Sequence, residues 1–552
     1  MDLARNLIGR INVGDSLTRT AAARPGQLAV VDGVRRLSYA DANSYVNRLA
    51  HGLAGLGYER GAALALASGN SADFLAVYYA CAKLGVVCVP INLGWQPDEV
   101  AYVLGHSQAR GIVVESQLWA AMQDAVAKVP EVLDVIVAPE PGSGGEPFSQ
   151  EPADRAWTTI EALTAHDHTA EPERFVADRD ALSYLYTSGT TSFPKGVVGS
   201  HLAIYLESMS AALDAGFRAD DRFAAMMPMF HTAQLNGFGT PAVLIGATTY
   251  VLRGFDPAAL LDLIERERIT QIFGLPIMYR ALLDHEGFAG RDLSSLRRAT
   301  YAMAPMPDEL IRRCLDGFGC DFALGFGQTE MSPVTTFFQP EHQLSHIGAV
   351  GTPVTGVQVA IMDPGGELLP PGQPGEIVYR GPSTMTGYLH DDEATGQAFA
   401  HGWFHSGDVG WFGDDGMLWF TDRYKDVIKT GGENVASIEV EKAVYAADPR
   451  VAEVVVVGLP HRQWGEAVTA FVVTRPGETI DADELIATLK TRLAGFKVPK
   501  AVVFIGELPK TSTGKIQKNI VRSDYMAYYT TPEGRTRVPV LTTHLAPVDP
   551  EA

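Results

Sequence analysis

The chain is 552 residues long, 46% apolar and 20% charged, and carries a formal net charge of −21. That length and composition imply more than one domain with a large buried core, and they exclude a disordered chain. The acidic balance argues against a general nucleic-acid binder and requires any polyphosphate site to be built locally, against the field of the whole protein.

The N-terminus, Met1-Asp2-Leu3-Ala4-Arg5-Asn6, lacks the apolar core of a signal peptide, and no apolar run reaches about 18 residues, so no transmembrane segment is expected. From 16 to 140 helical and strand patterns alternate. Ala40–Leu56 and Ala72–Leu84 carry helical spacing; Ala62–Ala67 is a short apolar run, and Val86–Ile91 and Gly111–Val114 read as strands. The alternation predicts βαβ units and a largely parallel sheet. Residues 139–157, rich in Pro, Gly and Ser, predict a mobile surface insertion. The four cysteines, Cys81, Cys88, Cys314 and Cys320, show neither CxxC spacing nor a disulfide framework, which suits a reducing cytoplasm. Cys314 and Cys320 have no His or Cys neighbour in sequence and read as buried thiols rather than a metal pair.

An apolar run, Ala181–Tyr186, reads as a buried strand and enters Thr187-Ser188-Gly189-Thr190-Thr191-Ser192-Phe193-Pro194-Lys195-Gly196. Those ten residues hold five hydroxyls, two glycines and one lysine. Glycine lets a backbone come close to a ligand, and the N–H groups of such a turn can cradle phosphate oxygens. An ordinary polar surface loop has the same composition. The Walker phosphate loop does not fit, because Pro194 precedes the lysine and Gly196 follows it.

Beyond the loop come a helix at His201–Ala215, a strand at Phe223–Met227 running into Pro228-Met229-Phe230-His231, a Gly-rich helical stretch at 235–246, and another βαβ-like run through Ile272–Leu275. Two further clusters follow, Tyr301-Ala302-Met303-Ala304-Pro305 and Gly325-Phe326-Gly327-Gln328-Thr329-Glu330. From 348 the texture turns to glycine, proline and short β segments, Val357–Met362, Glu376–Arg380 and Met417–Phe420, suggesting a small β-subdomain. The charged run Asp422-Arg423-Tyr424-Lys425-Asp426 breaks the apolar pattern and places a domain boundary at about 424. A compact α+β unit follows: helix Ser437–Ala446, strands Val451–Val457 and Ala467–Val473, helix Asp483–Leu493. Residues 526–552 read as a weakly ordered tail.

Taken together, Thr187–Gly196, Gly325–Glu330, Gly402–Asp408, Asp422–Asp426, Gly431–Asn434 and Pro509–Lys515 resemble the motifs of the adenylate-forming superfamily, which includes acyl-CoA synthetases, insect luciferase and peptide-synthetase adenylation domains. They occur in the family's order over about 330 residues. The resemblance implies an α/β fold: a large N-terminal domain, 1–424, of two doubly wound α/β subdomains plus a β-subdomain. A small mobile α+β C-terminal domain, 425–525, would swing between two catalytic poses. It implies ATP, Mg²⁺ and coenzyme A as cofactors and co-substrates.

By the same resemblance, Thr187, Ser188, Gly189, Thr190, Thr191 and Lys195 hold the β- and γ-phosphates, and Thr187 and Glu330 contact Mg²⁺. Ser192 stands where the family usually has glycine. Ala302, Met303, Ala304 and Pro305 with Gly325, Phe326, Gly327, Gln328 and Thr329 form the adenine site; the family's pattern at 302–305 is richer in glycine, and bulky Met303 narrows the acyl pocket beside it. Asp408 receives the ribose hydroxyls, supported by Arg423, and Lys425 is the hinge. Lys515 is the adenylation lysine. Gly431 and Gly432, with Trp464-Gly465-Glu466, leave room for a pantetheine arm, and Lys429 is a second-step lysine. His231 positions the carboxylate or gates the thiol, with a structural histidine as the competing reading.

The expected reaction is ATP-dependent activation of a small-molecule hydrophobic carboxylic acid, medium- or long-chain fatty, as an acyl-adenylate, then transfer to CoA. Aryl-CoA ligation, loading of an acyl carrier protein, a non-catalytic nucleotide or acyl-adenylate binder and a luciferase-type oxygenase are the alternatives, because fold does not fix function. A cytoplasmic location is expected, and a homodimer stays open.

Overall fold

The structure, a computed structural model, describes residues 2–139, 155–187, 194–304, 306–511 and 514–530. The chain divides into two compact units: Met1–Ala304, Leu310–Val359 and Tyr379–His405 form one, and Pro305–Glu309, Ala360–Val378 and Ser406–Ala552 the other. The architecture is the α/β arrangement expected, a large sheet-rich part and a smaller α+β one.

In the larger unit a seven-stranded sheet runs in the order Ala156–Thr159, Asp134–Ala138, Ala109–Glu115, Ala63–Ala67, Val87–Pro90, Ala181–Thr187 and Lys195–Ser200. All neighbours are parallel except the last pair. Strands covered on both faces need no polar alternation, which is why Ala63–Ala67 is buried at every residue. The helix Ala72–Leu84 is likewise buried all round. The neighbouring helix Tyr39–Gly55 starts in a capping box between Ser38 and Asp41.

The second sheet of this unit contains Asp321–Gly327, Arg298–Tyr301, Gln271–Gly274, Arg222–Ala225 and Thr248–Val251, hydrogen-bonded in that order and parallel throughout. Parallel strands place all their carboxyl ends on one edge. In open α/β sheets ligands sit at that edge.

The smaller unit holds a sheet ordered Glu433–Val435, Ile428–Thr430, Gly465–Thr474 and Val451–His461, with Ala501–Phe504 pairing in parallel with Gly465–Thr474. Val454, Val456, Val468, Ala470 and Val472 pack on one face with Val440, Val444, Leu485 and Leu489. Val455, Val457 and Phe471 pack on the other with Val503, Val521 and Tyr528. Both parities of the valine run are therefore core. Trp411 and Trp419, opposite each other on the hairpin of Phe404–Phe412 and Leu418–Arg423, stack with ring centroids 4.6 Å apart.

Three expectations change. Within the stretch expected as a tail, Tyr528 is buried against Phe471 and Val521, because a large aromatic side chain anchors its segment to a core whatever the composition around it; residues 531–552 lie outside the described residues. Residues 140–154 of the expected insertion lie outside the described residues, but Ala156–Thr159 is a strand, parallel to Asp134–Ala138. The helical stretch from 235 opens as one wide turn, Leu235–Gly239, before the regular helix Thr240–Ile245. Gly237, Gly239 and Pro241 weaken regular helical hydrogen bonding there. Among the described residues, no helix is long and apolar enough to cross a membrane.

Candidate active site

The Thr- and Gly-rich loop is the tip of an antiparallel hairpin, with Thr187 directly paired to Lys195 across the ladder. Its residues Ser188, Gly189, Thr190, Thr191 and Ser192 lie outside the described residues, as does Pro305. The two ends of the loop are thereby fixed by strand register. Gly196 packs tightly, since a Cβ there would stand 3.1 Å from the Tyr186 ring and 3.2 Å from Leu389 Cβ.

A segment from the far end of the unit lines the hairpin. Leu389 N–H donates to Gly196 O at 2.8 Å, Val198 N–H to Gly387 O at 3.0 Å and Thr386 N–H to Val198 O at 2.9 Å. This places Tyr388 between two of the candidate residues. The Lys195 ammonium lies 4.8 Å from the centroid of its ring. The Tyr388 hydroxyl donates to Glu330 Oε1 at 3.0 Å. Glu330 sits on the short turn Thr329–Met331, whose backbone is tied to the same segment by Met385 N–H donating to Glu330 O at 2.7 Å.

The remaining candidates of this unit line the carboxyl edge of the parallel sheet. Ala302, Met303 and Ala304 leave the strand Arg298–Tyr301, while Gly325, Phe326 and Gly327 end its neighbour Asp321–Gly327, with Tyr301 paired to Leu324. Gln328 N–H donates to Pro333 O at 2.9 Å, and a Cβ on Gly327 would fall 1.9 Å from that same oxygen, so only glycine fits. A Cβ on Gly325 would meet nothing within 4 Å, leaving open space beside the strand end. Met303 adopts φ 68°, the left-handed region that disfavours a side chain by about 1 kcal/mol. It packs on the cluster of Phe223, Phe238 and Phe273, in which Phe238 and Phe273 stack 4.4 Å apart. His231 follows Arg222–Ala225, two strand spacings or roughly 10 Å from Arg298–Tyr301 along the sheet. Its Nδ1 accepts from Ala233 N–H at 3.2 Å, capping the turn that follows.

The smaller unit assembles a second group. Asp408 and Arg423 are paired across the ladder between Phe404–Phe412 and Leu418–Arg423, and Arg423 Nε lies 3.2 Å from Asp408 Oδ1. The expected strand at Met417–Phe420 thus runs three residues further, to Arg423. Lys515 stands on a tight loop: Thr511 N–H donates to Lys515 O at 2.8 Å, Lys515 N–H to Thr511 Oγ1 at 3.1 Å, and Gly514 takes φ 82°. The Lys515 ammonium is pushed down to about 8, first by the surrounding mass of protein and then by the Arg423 and Lys425 cations; Asp408 and Asp426 pull the other way. Its side chain still reaches water, and solvent screening softens the push. Lys425, exposed, is also shifted down by the surrounding protein and by Arg423, and its carbonyl accepts from Arg522 at 3.3 Å.

Lys429 lies opposite Asn434 in the ladder between Ile428–Thr430 and Glu433–Val435. Its side chain is exposed and its N–H donates to Glu466 Oε2 at 2.7 Å. Gly431 and Gly432 form the two-residue turn between Ile428–Thr430 and Glu433–Val435 with φ 59° and 89°, the positive values that a tight hairpin demands. Gly431 N–H donates to Trp464 O at 2.8 Å, and the Lys500 ammonium lies 4.7 Å from the Trp464 ring.

The described candidates for a metal are one hydroxyl, Thr187, and one carboxylate, Glu330; no cluster of three or more acidic, His or Cys groups with ligand geometry occurs among the described residues. A hard oxygen-only set this small fits a magnesium ion whose other ligands are water and phosphate oxygens, and does not fit a protein-caged cation.

Two residues escape sequence reasoning. Tyr388 follows Gly387 in a segment with no charge to single it out. Glu207 looks like a solvated carboxylate, yet Ala203, Ile204, Ser208 and Ala211 share its helical face and all are buried, which is the signal that would have found it. Glu207 is fully buried; Oε1 accepts from Val334 N–H at 3.3 Å and Oε2 has no partner among the described residues. Burial pushes its carboxyl well above the usual range, Val334 opposes this and Asp214 adds to it. An acid with a raised folded pKa holds its proton more tightly than the unfolded chain does. Its contribution to stability is full below the ordinary carboxylate range and is lost as pH rises. Glu207→Gln is therefore expected to melt with the wild type at about pH 5 and above it at about pH 9. Melting curves over that range check this, and parallel curves would remove burial of the charge as the cause.

Two family models match the chain in succession. The one described as AMP-binding enzyme matches residues 17–389, and that of the AMP-binding enzyme C-terminal domain matches 439–515. A feruloyl-CoA synthase of an Amycolatopsis species is 36% identical over 510 residues, 92% of this chain and 98% of that protein. An indoleacetate–CoA ligase of Aromatoleum aromaticum is 34% identical over 516 residues, 93% of this chain and 98% of its own length. The ATP-bound crystal structure of MatB from Rhodopseudomonas palustris superposes with a TM-score of 0.85 at 28% identity, covering 95% of this chain and 100% of that one.

Proposed function

The chain belongs to the AMP-binding enzyme family as an acyl- or aryl-CoA ligase, and from that premise we propose that it activates a hydrophobic acid bearing an aromatic ring. The carboxylate attacks the α-phosphate of ATP and pyrophosphate leaves; the thiol of CoA then attacks the acyl carbon and AMP leaves. The fatty acid expected from the sequence is the competing substrate. The aromatic reading is supported by the two relatives, named for feruloyl and indoleacetate substrates, and by the stacked Phe238 and Phe273 beneath Met303.

The first step joins two anions, so it depends on positive charge placed where negative charge accumulates. Lys515 supplies it at the α-phosphate, and Asp408, held by Arg423, accepts the ribose hydroxyls. The meeting of these three on one unit is the observation that carries the reading. Lys195 and the hairpin tip face the β- and γ-phosphates. Magnesium, when bound by Thr187 and Glu330 directly or through water, supplies charge to the same phosphates. In the second step Gly431 and Gly432, with Trp464, form the passage for the pantetheine arm. A turn of the segment about Lys425, at the boundary near 424, exchanges the two faces of the C-terminal domain. The free thiols Cys81, Cys88 and Cys314, all buried, support a cytoplasmic setting.

The test is a panel of cinnamate-like, indoleacetate-like and octanoate-like acids with ATP, Mg²⁺ and either CoA or a holo carrier protein, reading AMP and thioester together. Thioester on CoA with stoichiometric AMP for the aromatic acids is the expected result. Thioester for octanoate alone transfers the reading to fatty acids; thioester on carrier protein alone transfers it to carrier loading. ADP in place of AMP, or no nucleotide turnover, overturns it.

A further inference from the structure

Lys195 and Glu330 carry opposite charges, and both are needed free at the moment ATP arrives. In an empty site the ordinary fate of such a pair is to close on each other. No direct ion pair joins them among the described residues. Tyr388 stands between, touching both. Its ring face, the negative side of the aromatic quadrupole, receives the Lys195 ammonium at 4.8 Å. Its hydroxyl, at the positive edge, donates to Glu330 Oε1 at 3.0 Å.

We propose that Tyr388 is a positioning residue for the metal–triphosphate half of ATP: it holds the Lys195 cation and the Glu330 carboxylate apart and ready, each on a contact that the incoming ligand can replace. The proposal rests on the nucleotide site assigned above and adds to it a residue that touches neither phosphate nor metal. Three features of the fold support a built device. The backbone on both sides of Tyr388 is bonded to the hairpin, through Gly387 O, Leu389 N–H and Thr386 N–H. Met385 N–H ties the same segment to the Glu330 carbonyl at 2.7 Å, so one short segment references both partners. Gly387 packs closely on Thr395, where a Cβ would stand 3.0 Å from Cγ2 and that side chain would have to give way.

Such a role separates the triphosphate from the nucleoside. AMP lacks the β- and γ-phosphates, and its binding does not use Lys195 or the metal carboxylate. In Tyr388→Phe the ring remains and the hydroxyl goes, freeing Glu330 to pair with Lys195. Tyr388→Leu removes both contacts.

The experiment is titration calorimetry of the full-length protein with MgATP, metal-free ATP and AMP, in the absence of acid, alongside the Mg²⁺ concentration needed for half-maximal adenylate formation. Tyr388→Phe is expected to bind MgATP about tenfold more weakly and to require several-fold more Mg²⁺, with AMP affinity unchanged. Tyr388→Leu is expected to lose more of the MgATP affinity, again sparing AMP. Equal losses for MgATP and AMP would show a merely structural role and overturn the proposal, as would wild-type MgATP affinity in Tyr388→Phe. Should Tyr388→Leu fail to fold, the phenylalanine variant alone decides. A wild-type protein that bound no adenine nucleotide would instead sink the nucleotide-site reading itself, so the two failures are told apart.

Discussion

Lys515→Ala is expected to lower acyl-adenylate formation by about 10²-fold or more while leaving thioester formation from supplied adenylate near the wild-type rate. The lysine stands on a loop closed by Thr511 and Gly514 and shares its surroundings with Asp408 and Arg423. Charge placed in advance is worth most where negative charge accumulates, and only the first step brings a carboxylate to a phosphate. Pyrophosphate release and single-turnover thioesterification, measured separately, check the split. Unchanged pyrophosphate release would refute the assignment. The same lysine sets a pH limit. Its ammonium is pushed down to about 8 by the surrounding protein and the neighbouring cations. The charged form is the one that acts, so kcat/KM for ATP in adenylation, which reports the free enzyme, should fall as pH rises through about 8. The thioester step should show no such limb at that position, and the limb should vanish in Lys515→Ala.

Asp408→Ala is expected to weaken ATP and AMP alike, by about 10²-fold, because in the proposed site the carboxylate meets the ribose that both share. This contrasts with the Tyr388 variants, which spare AMP. Asp408 also acts on Lys515: it is one of the two carboxylates that favour the ammonium against Arg423 and Lys425. Its removal leaves the cations opposed only by Asp426, so the alkaline limb of adenylation should move to lower pH. Equilibrium binding of both nucleotides and the pH profile of kcat/KM for ATP test the two halves. Loss of ATP binding with full retention of AMP binding would contradict the ribose role.

Much of the candidate site was legible as a proposal because the chemistry it would perform is written in distinctive residue types. A run with five hydroxyls, two glycines and a lysine after an apolar strand marks a candidate phosphate-facing turn by composition alone. The valine-rich runs Val451–Val457 and Ala467–Val473 pointed to buried strands, and both strands are present. What was not legible depends on pairing between distant segments. That Thr187 and Lys195 lie opposite each other follows from a ladder, not from the loop's composition. Tyr388 gains its place from hydrogen bonds between residues nearly two hundred positions apart. Met303 showed its bulk in the sequence but not its left-handed backbone, which the apolar cluster around Phe238 and Phe273 holds. Glu207 is the reverse case, since its helical spacing pointed inward and its charge obscured the signal.

The cysteines have a practical consequence. All four are free; Cys81, Cys88 and Cys314 are buried, and burial pushes Cys314 and Cys320 up to about 12 and Cys88 well above its ordinary value. Thiols kept protonated and shielded react slowly with alkylating dyes. The native chain is therefore close to a silent background for labelling. Cysteines introduced at exposed Val34, on the larger unit, and exposed Lys490, on the smaller, would carry a donor and an acceptor fluorophore with little competition. Energy transfer between them would report in real time whether the proposed rotation about Lys425 takes place, as ATP, acid and CoA are added in turn.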